Sequence, residues 1–234
     1  MISSPEALAV SLHDRGSIKF APSEEEFWTL KSGRKSPVYV NLRGITSFST
    51  GIGSSSEPEV RELVVSSYVE LLGQREEAYD HILGIPHAMT CLAGMVAYVK
   101  GDSILSMRTD SKSYGAHKTI EGDYSPGDLI VALDDVVTDG TSKFETVEAV
   151  KAEGLVLNDF VVLVDREEGG KEALHQKGLN LSAAIGLGGL TYVLAEQGEI
   201  SRRQVAWMEE YYQGLVETSV ISDIPESLYV GPSS

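Results

Sequence analysis

The chain has 234 residues, 42% hydrophobic and 23% charged, enough to bury the core of one large domain, or a core domain with a small appendage, without staples. Lys and Arg total 19 against 35 Asp and Glu, a formal charge of −16 that argues against a nucleic-acid partner and leaves an anionic small substrate only a local basic cluster to bind. The single cysteine, Cys91, excludes an internal disulfide, no Cys/His cluster suggests structural zinc, and the start lacks the basic and apolar run of a secretory signal, so a cytoplasmic setting is expected.

The first 45 residues read as a helix followed by short strands over 17–21, 27–31 and 38–42, a small hood capping one edge of the core. Residues 46–56, rich in Ser and Gly, read as a flexible loop of the kind an insertion leaves. Ser56-Glu57-Pro58-Glu59 opens an amphipathic helix through Leu72, with Val60, Leu63, Val64, Ser67 and Leu71 on one side and Gly73 as its stop. From Tyr79 onward short apolar runs alternate with helical periods, the mark of βαβ units and a mostly parallel sheet flanked by helices, an α/β fold. Strands are expected over 81–84, 103–107, 129–134, 160–165 and 181–185. Helices are expected over 88–98, 143–153 and 170–177, with Gly101, Gly154 and Gly178 just after them. The uncharged stretch 81–99 approaches the length of a membrane span, yet Gly84-Ile85-Pro86 breaks it into strand and helix, so no membrane is expected. Past Leu187 come packing helices, with Val205, Met208, Tyr212 and Leu215 at helical spacing, and a loosely held tail over the last dozen residues. The core is expected over 46–200, with a C-terminal helix and tail over 201–234.

Two stretches could carry chemistry. In Leu133-Asp134-Asp135-Val136-Val137-Thr138-Asp139-Gly140-Thr141-Ser142 an apolar strand ends in two acids, at the sheet edge where open α/β folds bind ligands. Paired carboxylates can accept hydrogen bonds from vicinal sugar hydroxyls, and the turn 138–142 can close on a phosphate with backbone N–H groups. The Ser142-x-x-Glu145 spacing of a capping box places a helix start just after that turn. An isolated Asp-Asp pair is more often a solvated strand end; joined to this turn, the string is the phosphoribosyl pyrophosphate signature of the type I phosphoribosyltransferases. The second stretch, Arg108 to Gly122, is basic against an acidic background and lies between strands. By composition alone it is an ordinary loop; it could also close over a pyrophosphate.

Together with 30–41 and Leu163-Val164-Asp165-Arg166-Glu167, in this order, these stretches resemble orotate phosphoribosyltransferase over about residues 6 to 215, most of all the half found in the bifunctional eukaryotic uridine monophosphate synthases. The resemblance implies the type I phosphoribosyltransferase fold and synthesis of orotidine 5′-monophosphate from orotate and phosphoribosyl pyrophosphate (PRPP). It implies that Asp134 and Asp135 hold the ribose hydroxyls, that Thr138, Asp139, Gly140, Thr141 and Ser142 cup the 5-phosphate, with Val136 and Val137 also in the PRPP site, and that Lys31, Tyr39, Thr138 and Arg166 meet orotate. Arg108 and Lys112 would stabilise the leaving pyrophosphate from a loop shared across a homodimer, with Mg²⁺ on the pyrophosphate and no protein residue assigned as its ligand. Thr109 stands where many bacterial members have lysine, Tyr114 where many have histidine, the 84–88 turn lacks the bacterial lysine, and Asp139 puts a carboxylate beside the phosphate. Alternative readings are a type I phosphoribosyltransferase for another base and a non-catalytic PRPP-binding regulator.

Overall fold

Alternating apolar and helical periods should yield a sheet covered on both faces, and the computed structural model, which describes residues 4–30, 33–46, 57–108 and 119–230, has that form. Helix α1 (Pro5–Asp14) starts at Ser4, whose hydroxyl accepts the Ala7 N–H, with proline in its first turn. Four short strands follow: β1 (Ile18–Phe20), β2 (Trp28–Thr29), β3 (Lys35–Ser36) and β4 (Val38–Val40). They form two antiparallel ribbons, β1 with β4 and β2 with β3. The expected strands are thus shorter than the sequence suggested, and one more appears, because Gly33 turns the chain back on itself with φ 82°.

The remaining elements run α2 (Glu57–Gly73), β5 (His81–Gly84), α3 (Met89–Lys100), β6 (Ser103–Met107), β7 (Ile120–Glu121), β8 (Leu129–Val137), α4 (Thr141–Ala152), β9 (Val156–Asp165), α5 (Gly170–His175), β10 (Asn180–Gly186), α6 (Leu187–Glu196), α7 (Arg202–Glu217) and α8 (Ser227–Val230). The main sheet has the order β10-β9-β8-β5-β6-β7, parallel except for β7. Along β8 the side chains alternate: Val131 and Leu133 enter one apolar cluster with Leu8, Tyr68, Leu190 and Tyr212, while Ile130 and Ala132 enter a second with Phe160 and Leu174. Among the described residues no helix is long and apolar enough to cross a membrane.

Four expectations change. The buried face of α2 follows Val60, Val64, Tyr68 and Leu72, while Leu63 and Leu71 are only half-buried. Strand β9 begins four residues early because Asp159, which looked like a strand breaker, is paired with Arg75 at 2.8 Å and accepts from Asn180 at 3.0 Å. Strand β8 continues three residues past Asp134, since β9 carries on beside it to Asp165. The described part of the expected loose tail is docked: α8 buries Leu228 to 3% exposure in the same cluster as Leu8 and Tyr212.

Candidate active site

The chain passes from β5 to β6 on one side of the sheet and then returns to place β8 on the other side of β5. Such a reversal opens a crevice at the carboxyl ends of the two strands, where ligands bind. β5 stops with Gly84 opposite Leu133, while residues 134–137 continue beside β9 alone. The two acids therefore stand at that crevice, as expected.

They are not equivalent. Asp134 is buried to 9% exposure; one of its carboxylate oxygens accepts the Asp135 N–H at 2.9 Å and the other is ion-paired with Lys143. Its carbonyl accepts the hydroxyl of the buried Tyr68 at 2.7 Å. Asp135 is half-buried, and burial, reinforced by the adjacent Asp134 charge and partly offset by Lys143, pushes its carboxyl up to about 6.

Beyond them, Val136 is half-buried, Val137 buried, Thr138 half-buried, Asp139 exposed, and Gly140 turns with φ 79° into α4. Thr141 and Ser142 are exposed on the first turn. The expected capping box does not form: the cap is Gly140, without a side-chain bond, and the helix has already begun when Ser142 is reached. Asp139 takes over part of that role, its carboxylate accepting the Thr141 N–H at 3.0 Å. The turn is pressed against the loop after β9. The Arg166 N–H donates to the Val137 carbonyl at 3.0 Å, and a Cβ on Gly170 would lie 2.4 Å from the Thr138 carbonyl oxygen.

Arg166, 5% exposed, is thereby carried to the edge of the same crevice. Its Nε donates to Glu168 at 2.6 Å and its Nη2 to the Ser36 hydroxyl at 3.2 Å. Glu168, with no exposed side-chain surface, also pairs with Arg34 at 2.9 Å and accepts the Tyr211 hydroxyl at 2.8 Å. Two guanidiniums on one carboxylate leave the cluster with a net positive charge. Close by in sequence to Ser36, Tyr39 is exposed and stacked on Trp28, centroids 5.6 Å apart. Arg108 lies at the end of β6, exposed and paired with Glu121 at 3.0 Å. Lys31 and Lys112, with Thr109 and Tyr114, lie outside the described residues.

The structure thus brings together the acids, the 138–142 turn and Arg166. Sequence reasoning missed Lys143, Glu168, Trp28 and Arg34 as members of the site. The signal was present in the first two, charged residues that follow closely on an apolar strand, one on the first turn of α4 and one in the loop after β9, but their burial could not be read locally.

No family model matches the chain. Among curated proteins it is 33% identical over 207 residues to the uridine 5′-monophosphate synthase of Bos taurus, covering 88% of this chain and 40% of that protein. It is 30% identical over 185 residues to the orotate phosphoribosyltransferase of Methanopyrus kandleri, covering 79% of this chain and 91% of that protein. Among solved structures, the UMP synthase of Leishmania donovani superposes with a TM-score of 0.76 at 30% identity, over 89% of this chain and 42% of that one. The chain therefore spans less than half the length of the bovine and Leishmania proteins.

Proposed function

The chain belongs to the orotate phosphoribosyltransferase family, and from that premise we propose that it converts orotate and PRPP to orotidine 5′-monophosphate and pyrophosphate, a step of pyrimidine nucleotide synthesis. The observation that carries the reading is the joining of two unlike subsites at one sheet edge. Arg166 follows β9 exactly where β8 ends, its amide on the Val137 carbonyl, so a cationic base pocket adjoins a cup of backbone N–H groups.

In this reading the 5-phosphate sits in the 138–142 turn and the ribose hydroxyls donate to Asp135, with Asp134 beside it. The flat anionic base lies against Tyr39, supported by Trp28, and its carboxylate faces the cations of Arg166 and Lys31. The bond from the anomeric carbon to the pyrophosphate oxygen breaks, the pyrophosphate leaving with the electron pair. The bond to the deprotonated ring nitrogen of orotate forms. Positive charge grows on the ribose meanwhile, so stabilising the leaving group matters more than activating the nucleophile. Arg108, released from its exposed pair with Glu121, and Lys112 would supply that stabilisation from a closing loop that also excludes water.

The hard oxygen donors at the crevice, few in number, fit a Mg²⁺ that keeps waters and rides in on substrate phosphates. When bound, the ion would neutralise charge on the pyrophosphate and ribose oxygens, with Asp135 the protein group nearest in kind. Removal of divalent metal by a chelator should abolish turnover, and added Mg²⁺ should restore it. We also propose a homodimer, supported by the resemblance and by exposed Tyr98, Val99 and Ile104 along the end of α3 and the strand after it, and a cytoplasmic setting, in keeping with the free Cys91.

The test is loss of orotate absorbance on adding PRPP and Mg²⁺, with adenine, guanine and uracil as controls. Consumption of another base would assign a different phosphoribosyltransferase. Binding of PRPP without consumption of any base would favour a regulator, the reading that Asp139's hold on the Thr141 N–H keeps open.

A further inference from the structure

Lys143 belongs to none of the roles so far described, yet it is among the least exposed charged residues of the molecule, 1% exposed on the first turn of α4. Its ammonium is ion-paired with the Asp134 carboxylate and donates to the Val136 carbonyl at 3.1 Å. Burying an ammonium is costly even when it is paired, and a Met or Leu would fill a space between helix and sheet more favourably. Packing alone therefore does not account for it.

Two consequences of its position do. First, the contacts to Asp134 and Val136 reach back from α4 to the end of β8, so one side chain bridges the two ends of the 137–142 turn. Second, residues 134–142 contain three carboxylates, Asp134, Asp135 and Asp139, and no cation. A cup of that charge repels a phosphorylated sugar, and a buried ammonium directly beneath it cancels one of the three. The Asp135 carboxyl is raised chiefly by its burial; the Asp134 charge raises it further and Lys143 relieves it.

We propose that Lys143 is a positioning residue for the phosphosugar, holding Asp134 in a single inward orientation and offsetting its charge beneath the phosphate turn, so that it governs affinity for the sugar phosphate and not for the base. This rests on the reading of the 134–142 stretch as the phosphosugar subsite. It divides the acid pair: Asp134 is held by the protein, and Asp135 is left to meet the ribose.

The experiment is calorimetric titration of the full chain with ribose 5-phosphate and, separately, with orotate, for wild type, Lys143→Met and Lys143→Gln, with thermal melting to establish folding. In each folded variant the dissociation constant for ribose 5-phosphate should rise about tenfold or more, while that for orotate stays within about twofold, because a buried charge acts on its own neighbourhood. Lys143→Gln keeps an amide donor for Asp134 and carries the same reading should Lys143→Met fail to fold. Unchanged ribose 5-phosphate affinity in a folded variant, or equal weakening of both ligands, would overturn the proposal. Wild-type consumption of orotate tests the family reaction independently, so a failure there and a failure here are told apart.

Discussion

Asp135 stands at the crevice and Asp165 at the end of β9, and both carboxyls are pushed up to about 6, in each case chiefly by burial. The consequences for activity and for stability have opposite signs. To accept ribose hydroxyls Asp135 must be ionised, so turnover should fall as the pH drops below about 6, and Asp135→Asn should lower turnover by ~10²-fold by removing one preorganised charge contact. Steady-state kinetics across pH check both. For Asp165 the charges of Glu167 and Glu172 add to burial, while the Glu167 N–H opposes it. A carboxyl raised from 3.8 to about 6 on folding favours the fold while it is protonated, so that contribution is complete below 3.8 and is lost as the pH rises through about 6. Asp165→Asn, neutral throughout, should gain on wild type as the pH rises from about 4 to about 6 and keep that advantage above it, a stability difference on the order of 1–3 kcal/mol read from thermal melting across pH.

Among elements, the decisive contact is that of the β8–turn–α4 unit with the loop leading into α5. Gly170 has ordinary backbone angles but no room: a Cβ there would meet the Thr138 carbonyl oxygen at 2.4 Å and Val137 Cγ2 at 2.8 Å. Neither can yield, one being backbone and the other a buried strand residue. Gly170→Ala should therefore destabilise by about 1–3 kcal/mol and shift the turn, raising the KM for PRPP more than that for orotate. Melting and a two-substrate kinetic analysis would show it. At this scale the sequence was readable in kind and imprecise in detail. Ser142 and Glu145 had the right spacing for a capping box, but Gly140 at positive φ starts the helix first, and only the conformation of the preceding turn decides which residue becomes the cap.

Across the whole molecule, the last helix is tied to the base pocket. Glu167 adopts the left-handed region at φ 56°, unusual for a residue with a Cβ, and its carboxylate accepts the Gly188 N–H at 2.6 Å and the Ser227 hydroxyl at 2.9 Å. Gly186 and Gly188 make room for it, since a Cβ on either would stand within 3.0 Å of that carboxylate. Thus α8 closes on the residue next to Arg166, and its Leu228 completes the core. Leu228→Ala should cost about 2 kcal/mol or more, which for a chain of this size lowers the melting temperature by about 4–8 °C.

What the sequence determined by itself was local or periodic: the alternation of apolar strands and helices, the stops at Gly101, Gly154 and Gly178, and the acids and turn at the end of β8. Those features depend on neighbours within one or two turns of chain, so composition and spacing suffice to read them. Tertiary structure alone decided that Asp134 turns inward to Lys143, that Arg166 is held by Glu168 and by Ser36, which lies 130 residues away, and that the polar tail packs as α8. In each of these a buried charge or apolar side chain is paired with another group, two residues away for Glu168 and 130 for Ser36, and the free energy that selects the pairing comes from removing both from water together, which spacing does not reveal.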